Sequence, residues 1–436
     1  AFMASAFRLD LADVVARATS FWDRPQDAGA ARFPSSATSP AQVDAWLAQW
    51  IAIVAQGDEA TFRRRLAFDQ YNFESARDLL AERIVPPEPP SWTAILDEVL
   101  RAEGATGAAS RPAAPEFLSP EAPVPFEDIL APWVSIARDR VIAASSGRYG
   151  RLRGAVSGRF ERELLKVLVE LAGRVLLVEF RTLLAARQLH RDPIDPSGAS
   201  TDSRWNYRAF VAATLDGGWA AIFSEYPALA RLMTRAVINW VDSTAEFVER
   251  FERDRAEIAR SFFAAEEAVE LAAVRPGLSD RHRGGRTVIA LTFASASRLI
   301  YKPKPLALEA AYSRLVEELT RRGSPIELRA PRSLDRGDYG WQEFIEARPC
   351  RSEGEVSDFY RRLGVLLGLA YGLNGIDFHY ENIVACGDFP VAVDLETLFH
   401  PNLADPADDQ DPLALRLKQS VLRADILPNP VRLRDQ

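Results

Sequence analysis

Transfer of a phosphoryl group from a nucleotide asks three things of a protein: a cation against the phosphates, carboxylate and amide oxygens for Mg²⁺, and a carboxylate beside the attacking hydroxyl. Lys302, Asp377, Asn382 and Asp394, all in the last third of this 436-residue chain, offer each of them at a compatible spacing. The lysines stand out by rarity. Of 53 basic residues only four are Lys, and two of those share the tetrapeptide Tyr301-Lys302-Pro303-Lys304. Where Arg is the default cation, a compact ammonium suits a phosphate oxygen. Taken singly, each residue also has an ordinary structural use. Asp377 suits a turn or cap, Asn382 can satisfy local backbone groups, His379 can be a core histidine, and Lys302 and Lys304 can be solvated surface lysines. Asp394 is harder to place that way. It ends the apolar run Val391-Ala392-Val393, and a buried carboxylate needs a partner, for which a cation is usual.

The elements around these residues must hold them at fixed relative positions. Thr287–Phe293 and Arg298–Lys302 are short β-branched or aromatic runs joined by Ala294–Ser297, so an antiparallel hairpin ending on Lys302 is expected. Helical spacing follows over Leu306–Arg321, then a strand over Tyr339–Glu346 and a long helix from about Val356 to Leu373. Asp377 comes next, with Asn382 five positions on, the separation between the catalytic Asp and the metal-binding Asn of protein kinases. Two short strands, Asn382–Cys386 and Pro390–Asp394, flank Gly387-Asp388 and end at Asp394-Leu395-Glu396. The glycine-rich loop of protein kinases is missing, since Ser279–Thr287 holds only Gly284 and Gly285, and no GK[ST] phosphate loop occurs. The order Asp377-Phe378-His379 instead resembles the lipid-kinase branch of that superfamily.

Upstream the periodicity is helical. Pro40 to Ile84 places Trp46, Trp50, Ile53 and Val54 on one face, Pro86 to Pro90 breaks the pattern, and Trp92–Ala102 resumes it. Gly104 to Pro125 is rich in Ala, Gly and Pro and reads as a linker or mobile loop. From Phe126 to Ala273 long helices dominate, among them Phe160–Arg187 and Ala228–Ala265, interrupted by a polar loop over His190–Arg204. With 47% hydrophobic and 26% charged residues the composition is that of a globular protein. A formal charge of -8 without a dense Lys/Arg run speaks against a duplex nucleic-acid partner. No apolar stretch reaches the roughly 18 residues of a membrane span, and the acidic N-terminal region, in which Met3 reads as the native start, does not resemble a secretory signal. Cys350 and Cys386 form neither a zinc motif nor a disulfide framework, which suits a reducing cytoplasm.

Several motifs together resemble the dehydratase region of class II lanthipeptide synthetases. They are Ser279-Asp280-Arg281-His282 with Gly285, Tyr301-Lys302-Pro303-Lys304, Tyr339-Gly340-Trp341 with Glu343-Phe344, Asp377-x-His379-x-Glu381-Asn382, and Asp394-Leu395-Glu396-Thr397-Leu398-Phe399. The helical Tyr226-Pro227-Ala228-Leu229-Ala230-Arg231-Leu232 agrees, and the similarity runs from about residue 125 to 430. The resemblance implies an α+β fold in which a helical N-terminal region precedes a protein/lipid-kinase-like core, with a small β-rich lobe and the start of a helical large lobe. The corresponding divisions are 1–124 (helical region and linker), 125–275 (helical dehydratase region), 276–348 (small lobe) and 349–436 (start of the large lobe). It implies ATP- and Mg²⁺-dependent phosphorylation of Ser and Thr in a ribosomal precursor peptide, followed by phosphate elimination to dehydroalanine or dehydrobutyrine. By motif position Lys302, with Glu343 and Glu396, holds the nucleotide, and Asn382 and Asp394 bind Mg²⁺. Asp377 handles the substrate hydroxyl with His379 in support, and Asp280 and His282 serve elimination. Members of that family are much longer, so a truncated chain is expected, with the rest of the large lobe and a zinc cyclase domain beyond it. A phosphotransferase without elimination and a non-catalytic leader-peptide-binding module are the alternatives.

Overall fold

The computed structural model describes residues 9–23, 31–34, 39–86, 88–105, 117–118, 122–189, 203–264, 269–401, 416 and 419–428. The expected linker over 104–125 and the expected loop over 190–204 fall largely outside them. The chain divides into two compact units, Ala1–Tyr149 with Glu161–Ala245, and Gly150–Phe160 with Glu246–Gln436.

The first unit draws on helices α1 (Leu11–Ala18), α2 (Pro40–Ala55), α3 (Glu59–Phe68), α4 (Phe73–Ala81), α5 (Thr93–Ala105), α6 (Glu127–Ala144), α7 (Gly154–Leu189), α8 (Ser203–Ala213), α9 (Trp219–Glu225) and α10 (Pro227–Phe262). Strands β1 (Ala31–Pro34) and β2 (Glu82–Val85) pair antiparallel. Local chemistry starts these helices. Ser39 caps α2 ahead of Pro40, and Asn72 exchanges side-chain bonds with Ser75 in a capping box on α4. Phe21, Val43, Leu47, Phe62, Leu66 and Ala76 form one buried cluster. The expected apolar face of α2 is corrected here: Trp46, Ile53 and Val54 are exposed, whereas Val43 and Leu47 are buried. The helix is apolar over most of its circumference, so periodicity did not reveal which stripe its neighbours cover.

The second unit carries a five-stranded antiparallel sheet with strands β3 (Leu271–Arg275), β4 (Ile289–Phe293), β5 (Arg298–Lys302), β6 (Ser333–Asp335) and β7 (Gly340–Glu343), in the order β3-β4-β5-β7-β6. The β4-β5 hairpin has Ile289 opposite Tyr301 and Thr292 opposite Arg298, with Ala296 at φ 67° in its turn. Strand β3 lies partly where helix was expected, because Leu271–Ala273 finds a partner in β4 that local sequence does not reveal. Helix α11 (Ala307–Arg321) connects β5 to the β6 edge, α12 (Glu353–Gly372) follows β7, and the hairpin β8 (Ile383–Cys386) with β9 (Phe389–Ala392) comes after the segment that holds Asp377. Helices set to the side of an antiparallel sheet make this an α+β fold.

Two bodies of packing hold the second unit. Phe247 and Phe251 of α10 meet Tyr301 and Trp341 at ring-centroid distances of 5.2 and 6.1 Å, respectively. Beneath these rings lies Asp254, whose carboxylate accepts from the Tyr339 hydroxyl at 2.6 Å and the Trp341 indole at 2.9 Å and pairs with Arg336 at 3.0 Å. The other body joins α11 and α12 to the loops around the site through Tyr312, Val316, Leu366, Ala370, Phe378, Leu395 and Leu398. It fixes the floor on which Asp377 and Asp394 stand.

Candidate functional site

Lys302 ends β5, and its position is set by the sheet: it pairs with Gly340 on β7. A side chain there is not tolerated, since a Cβ on Gly340 would lie 2.7 Å from the Leu334 carbonyl oxygen and 2.5 Å from Leu306. Lys302 is 5% exposed. Its ammonium donates to the Val393 carbonyl and lies 3.7 Å from Glu309 on α11. Burial pushes the Lys302 ammonium down from 10.5, against the pull of Asp394 and Glu309. Burial likewise pushes Glu309 up from 4.5, with Lys302 opposing. Glu309 Oε1 has no hydrogen-bond partner, although the residue is 3% exposed. Such a carboxylate draws on the charge of Lys302, and it keeps the ammonium inside the unit.

The backbone of Val393 organises the centre. Its carbonyl accepts from Lys302 and its N–H donates to the Asn382 carbonyl at 2.9 Å. The Asn382 amide in turn donates to the Asp377 carbonyl at 2.8 Å. Asp377 sits at φ 64°, a left-handed conformation that Asp adopts more readily than most residues, and the Asn382 bond secures that geometry. Gly375 is needed two residues earlier for close approach, because a Cβ there would fall 2.7 Å from the Phe378 ring. Phe378 anchors the segment in the core, with its N–H on the Ala424 carbonyl at 2.9 Å. The Asp377 side chain retains 45% exposure, and its Oδ1 lies 3.3 Å from His379 Nε2. The other ring nitrogen of His379 accepts from the Glu381 N–H at 3.2 Å.

Asp394 follows β9 by two residues and meets a second lysine. Lys304 Nζ lies 2.7 Å from Asp394 Oδ1 and 2.8 Å from Glu396 Oε2. Burial acts to raise the Asp394 carboxyl, but Lys302 and Lys304 outweigh it and hold it below 3.8. Burial acts to lower Lys304, and Asp394 and Glu396 outweigh that and hold it above 10.5. Thr397 donates to the Ile376 carbonyl, tying the segment after Asp394 to the one before Asp377.

Lys302 and Asn382 thus meet at the backbone of Val393, Lys304 joins Asp394 to Glu396, and Asn382 leads on to Asp377 and then His379. The remaining candidates lie apart. Glu343 faces Leu299 on β5, three rungs from Lys302, and its carboxylate accepts from Arg329 at 2.8 Å and the Arg332 N–H at 3.1 Å. Asp280 and His282 are exposed on a turn closed by reciprocal backbone bonds between His282 and Arg286, and they share none of the contacts above. Arg286 fixes this turn to α10 through Glu246 at 2.5 Å. Sequence reasoning missed Glu309 and read Lys304 only as a second compact ammonium beside Lys302, not as the partner of Asp394 and Glu396. One signal existed for Glu309: it stands at the 309, 312, 316 spacing of the buried α11 face, beside Tyr312 and Val316, where an apolar residue is the rule.

A family model bears on the part of the chain that holds the site. Residues 226–436 match a family model described as a domain of unknown function, DUF4135. Over 212 residues the chain is 25% identical to the lacticin 481/lactococcin biosynthesis protein LcnDR2 of Lactococcus lactis subsp. lactis. The aligned stretch makes up 47% of this chain and 22% of that relative, so the chain spans less than a quarter of the protein it matches.

Proposed function

We propose that this chain is the ATP-handling part of a lanthipeptide dehydratase with a kinase-like core, which phosphorylates Ser and Thr side chains of a ribosomal precursor peptide and then eliminates the phosphate. The observation that carries the proposal is the meeting of a buried, carboxylate-paired lysine with Asn382 at the backbone of Val393, beside the acidic pair Asp394 and Glu396 that Lys304 bridges. The similarity to a Lactococcus protein of lacticin 481 and lactococcin biosynthesis supports the substrate class. Among the described residues no three His, Cys, Asp or Glu side chains converge into a metal cage. One or two carboxylates with an amide oxygen fit Mg²⁺, which keeps waters and completes its shell with phosphate oxygens. Asn382 and Asp394 would hold that ion, with Glu396 beside them, and it would neutralise charge on the phosphates. Lys302, held by Glu309, places a fixed ammonium against the same phosphates. Asp377, steadied by His379, accepts the proton of the Ser or Thr hydroxyl as its oxygen bonds to the γ-phosphorus and the bond to the ADP oxygen breaks. In the second step a base removes the Cα proton, the electron pair forms the Cα–Cβ double bond, and the Cβ–O bond breaks to release phosphate. His282 with Asp280 is the pair we assign to it.

The exposed, separate position of Asp280 and His282 favours one second reading, a phosphotransferase that stops at the phosphopeptide. Mass spectrometry of a Ser/Thr-containing precursor peptide incubated with the chain, ATP and Mg²⁺ distinguishes the two: a gain of about 80 Da marks phosphorylation and a loss of about 18 Da marks dehydration. Lys302→Ala and Asp377→Asn are expected to abolish both products, and unchanged ATP consumption in both variants would sink the proposal. His282→Ala is expected to accumulate phosphopeptide. Undiminished dehydration in that variant removes the elimination role.

A further inference from the structure

Lys302 and Lys304 are two residues apart and both act on Asp394, yet they are held differently. Lys302 is fixed at several points, by Val393, Glu309 and the field of Asp394, in a site that water barely reaches. Among the described residues Lys304 makes only carboxylate contacts, to Asp394 and Glu396, and a quarter of its side chain is exposed. It has a flexible four-carbon stem and a point charge that can change partners. We infer that Lys304 is a displaceable counter-ion: it competes with a divalent cation for Asp394 and Glu396, and once displaced it becomes a second cation on the nucleotide phosphates. The inference rests on the proposed reading of the site as one for ATP and Mg²⁺.

The distances set up the competition. An ammonium 2.7 Å from Asp394 Oδ1 and a divalent cation at about 2.1 Å from that same oxygen would stand within roughly 5 Å of each other. Like charges that close on one carboxylate disfavour joint occupancy. The local charges are Lys302 and Lys304 against Glu309, Asp394 and Glu396. A divalent cation alone would therefore turn a net negative cluster positive. A cation arriving with a polyphosphate brings negative charge of its own and offers the displaced ammonium a new anion within reach of its stem. The pair thus selects against the free ion and for the ion–nucleotide complex.

The test has two arms of opposite sign. Free Mn²⁺, read by its electron paramagnetic resonance signal, is titrated into the chain and into Lys304→Met. The variant is expected to bind Mn²⁺ about tenfold more tightly and Mg-ATP, measured by calorimetry, about tenfold more weakly. Lys304→Arg keeps the charge and is expected to stay near the parent in both. A merely structural lysine would weaken both ligands together. Equal or weaker Mn²⁺ binding in Lys304→Met overturns the competition, and unchanged Mg-ATP affinity overturns the phosphate role. Loss of Mn²⁺ binding is expected for Asp394→Asn; if binding survives there, the Asp394 metal-site reading fails, and the Lys304 inference with it. The unaltered chain provides a check independent of any variant. Lys304 is one of only four lysines, and its acetylation by acetic anhydride is expected to rise with Mn²⁺ and fall again on adding ATP; constant labelling overturns the exchange.

Discussion

The Lys302–Glu309 pair permits a quantitative test of what holds the site together. At 3.7 Å and an effective dielectric constant of about 20, two unit charges attract by about 4.5 kcal/mol. Desolvation offsets much of this, since both side chains are nearly inaccessible and Glu309 Oε1 lacks a hydrogen bond. Removing one partner leaves the other charged and buried. Lys302→Met strands a carboxylate that has no other ion pair among the described residues and is expected to cost about 3 to 5 kcal/mol. Glu309→Gln is milder, because Lys302 retains Asp394 and the Val393 carbonyl, and we expect about 2 kcal/mol. The double variant buries no charge at either position and is expected to lie within about 1 kcal/mol of the parent. Urea unfolding of the four proteins closes the double-mutant cycle. A coupling of about 2 kcal/mol or more supports the paired arrangement, and losses that simply add would refute it.

Three further outcomes follow from the same geometry. Gly375→Ala would drive a methyl to 2.7 Å from the Phe378 ring and 3.0 Å from Leu398; an overpacking cost of about 1 to 3 kcal/mol and loss of phosphoryl transfer are expected, and normal activity would show that the Asp377 segment tolerates the shift. Asp254→Asn removes a fully buried charge that Tyr339, Trp341 and Arg336 all address; a loss of about 3 kcal/mol or more and an altered near-ultraviolet circular dichroism signal from Trp341 are expected. Asp394, held below 3.8 despite burial because Lys302 and Lys304 outweigh it, contributes stability that is complete above 3.8 and is lost as pH falls through its lower folded-state value. The stability difference between the parent and Asp394→Asn should therefore stay constant from neutral pH to about pH 4 and shrink only below it; a difference that already vanishes at pH 6 contradicts the pairing.

The amino-acid sequence by itself determined most of the elements around the candidate site and singled out the residues whose types could do chemistry there. Alternating apolar residues made the β4-β5 hairpin legible to the residue at Lys302, the 3.6-residue period made α11 and α12 legible, and the five-residue step from Asp377 to Asn382 marked the candidate centre. These are local properties, set by backbone geometry and side-chain period. Tertiary structure alone decided which charges meet. It brought Glu309 to Lys302, gave Lys304 to Asp394 and Glu396, turned Glu343 toward Arg329, and left Asp280 and His282 on a separate turn. It also made a strand of Leu271–Arg275 and exposed Trp46. The physical reason is common to all of these. A strand's partner, an apolar stripe's cover and a buried charge's counter-ion are chosen by segments tens of residues away, and the local period of the chain carries no record of that choice.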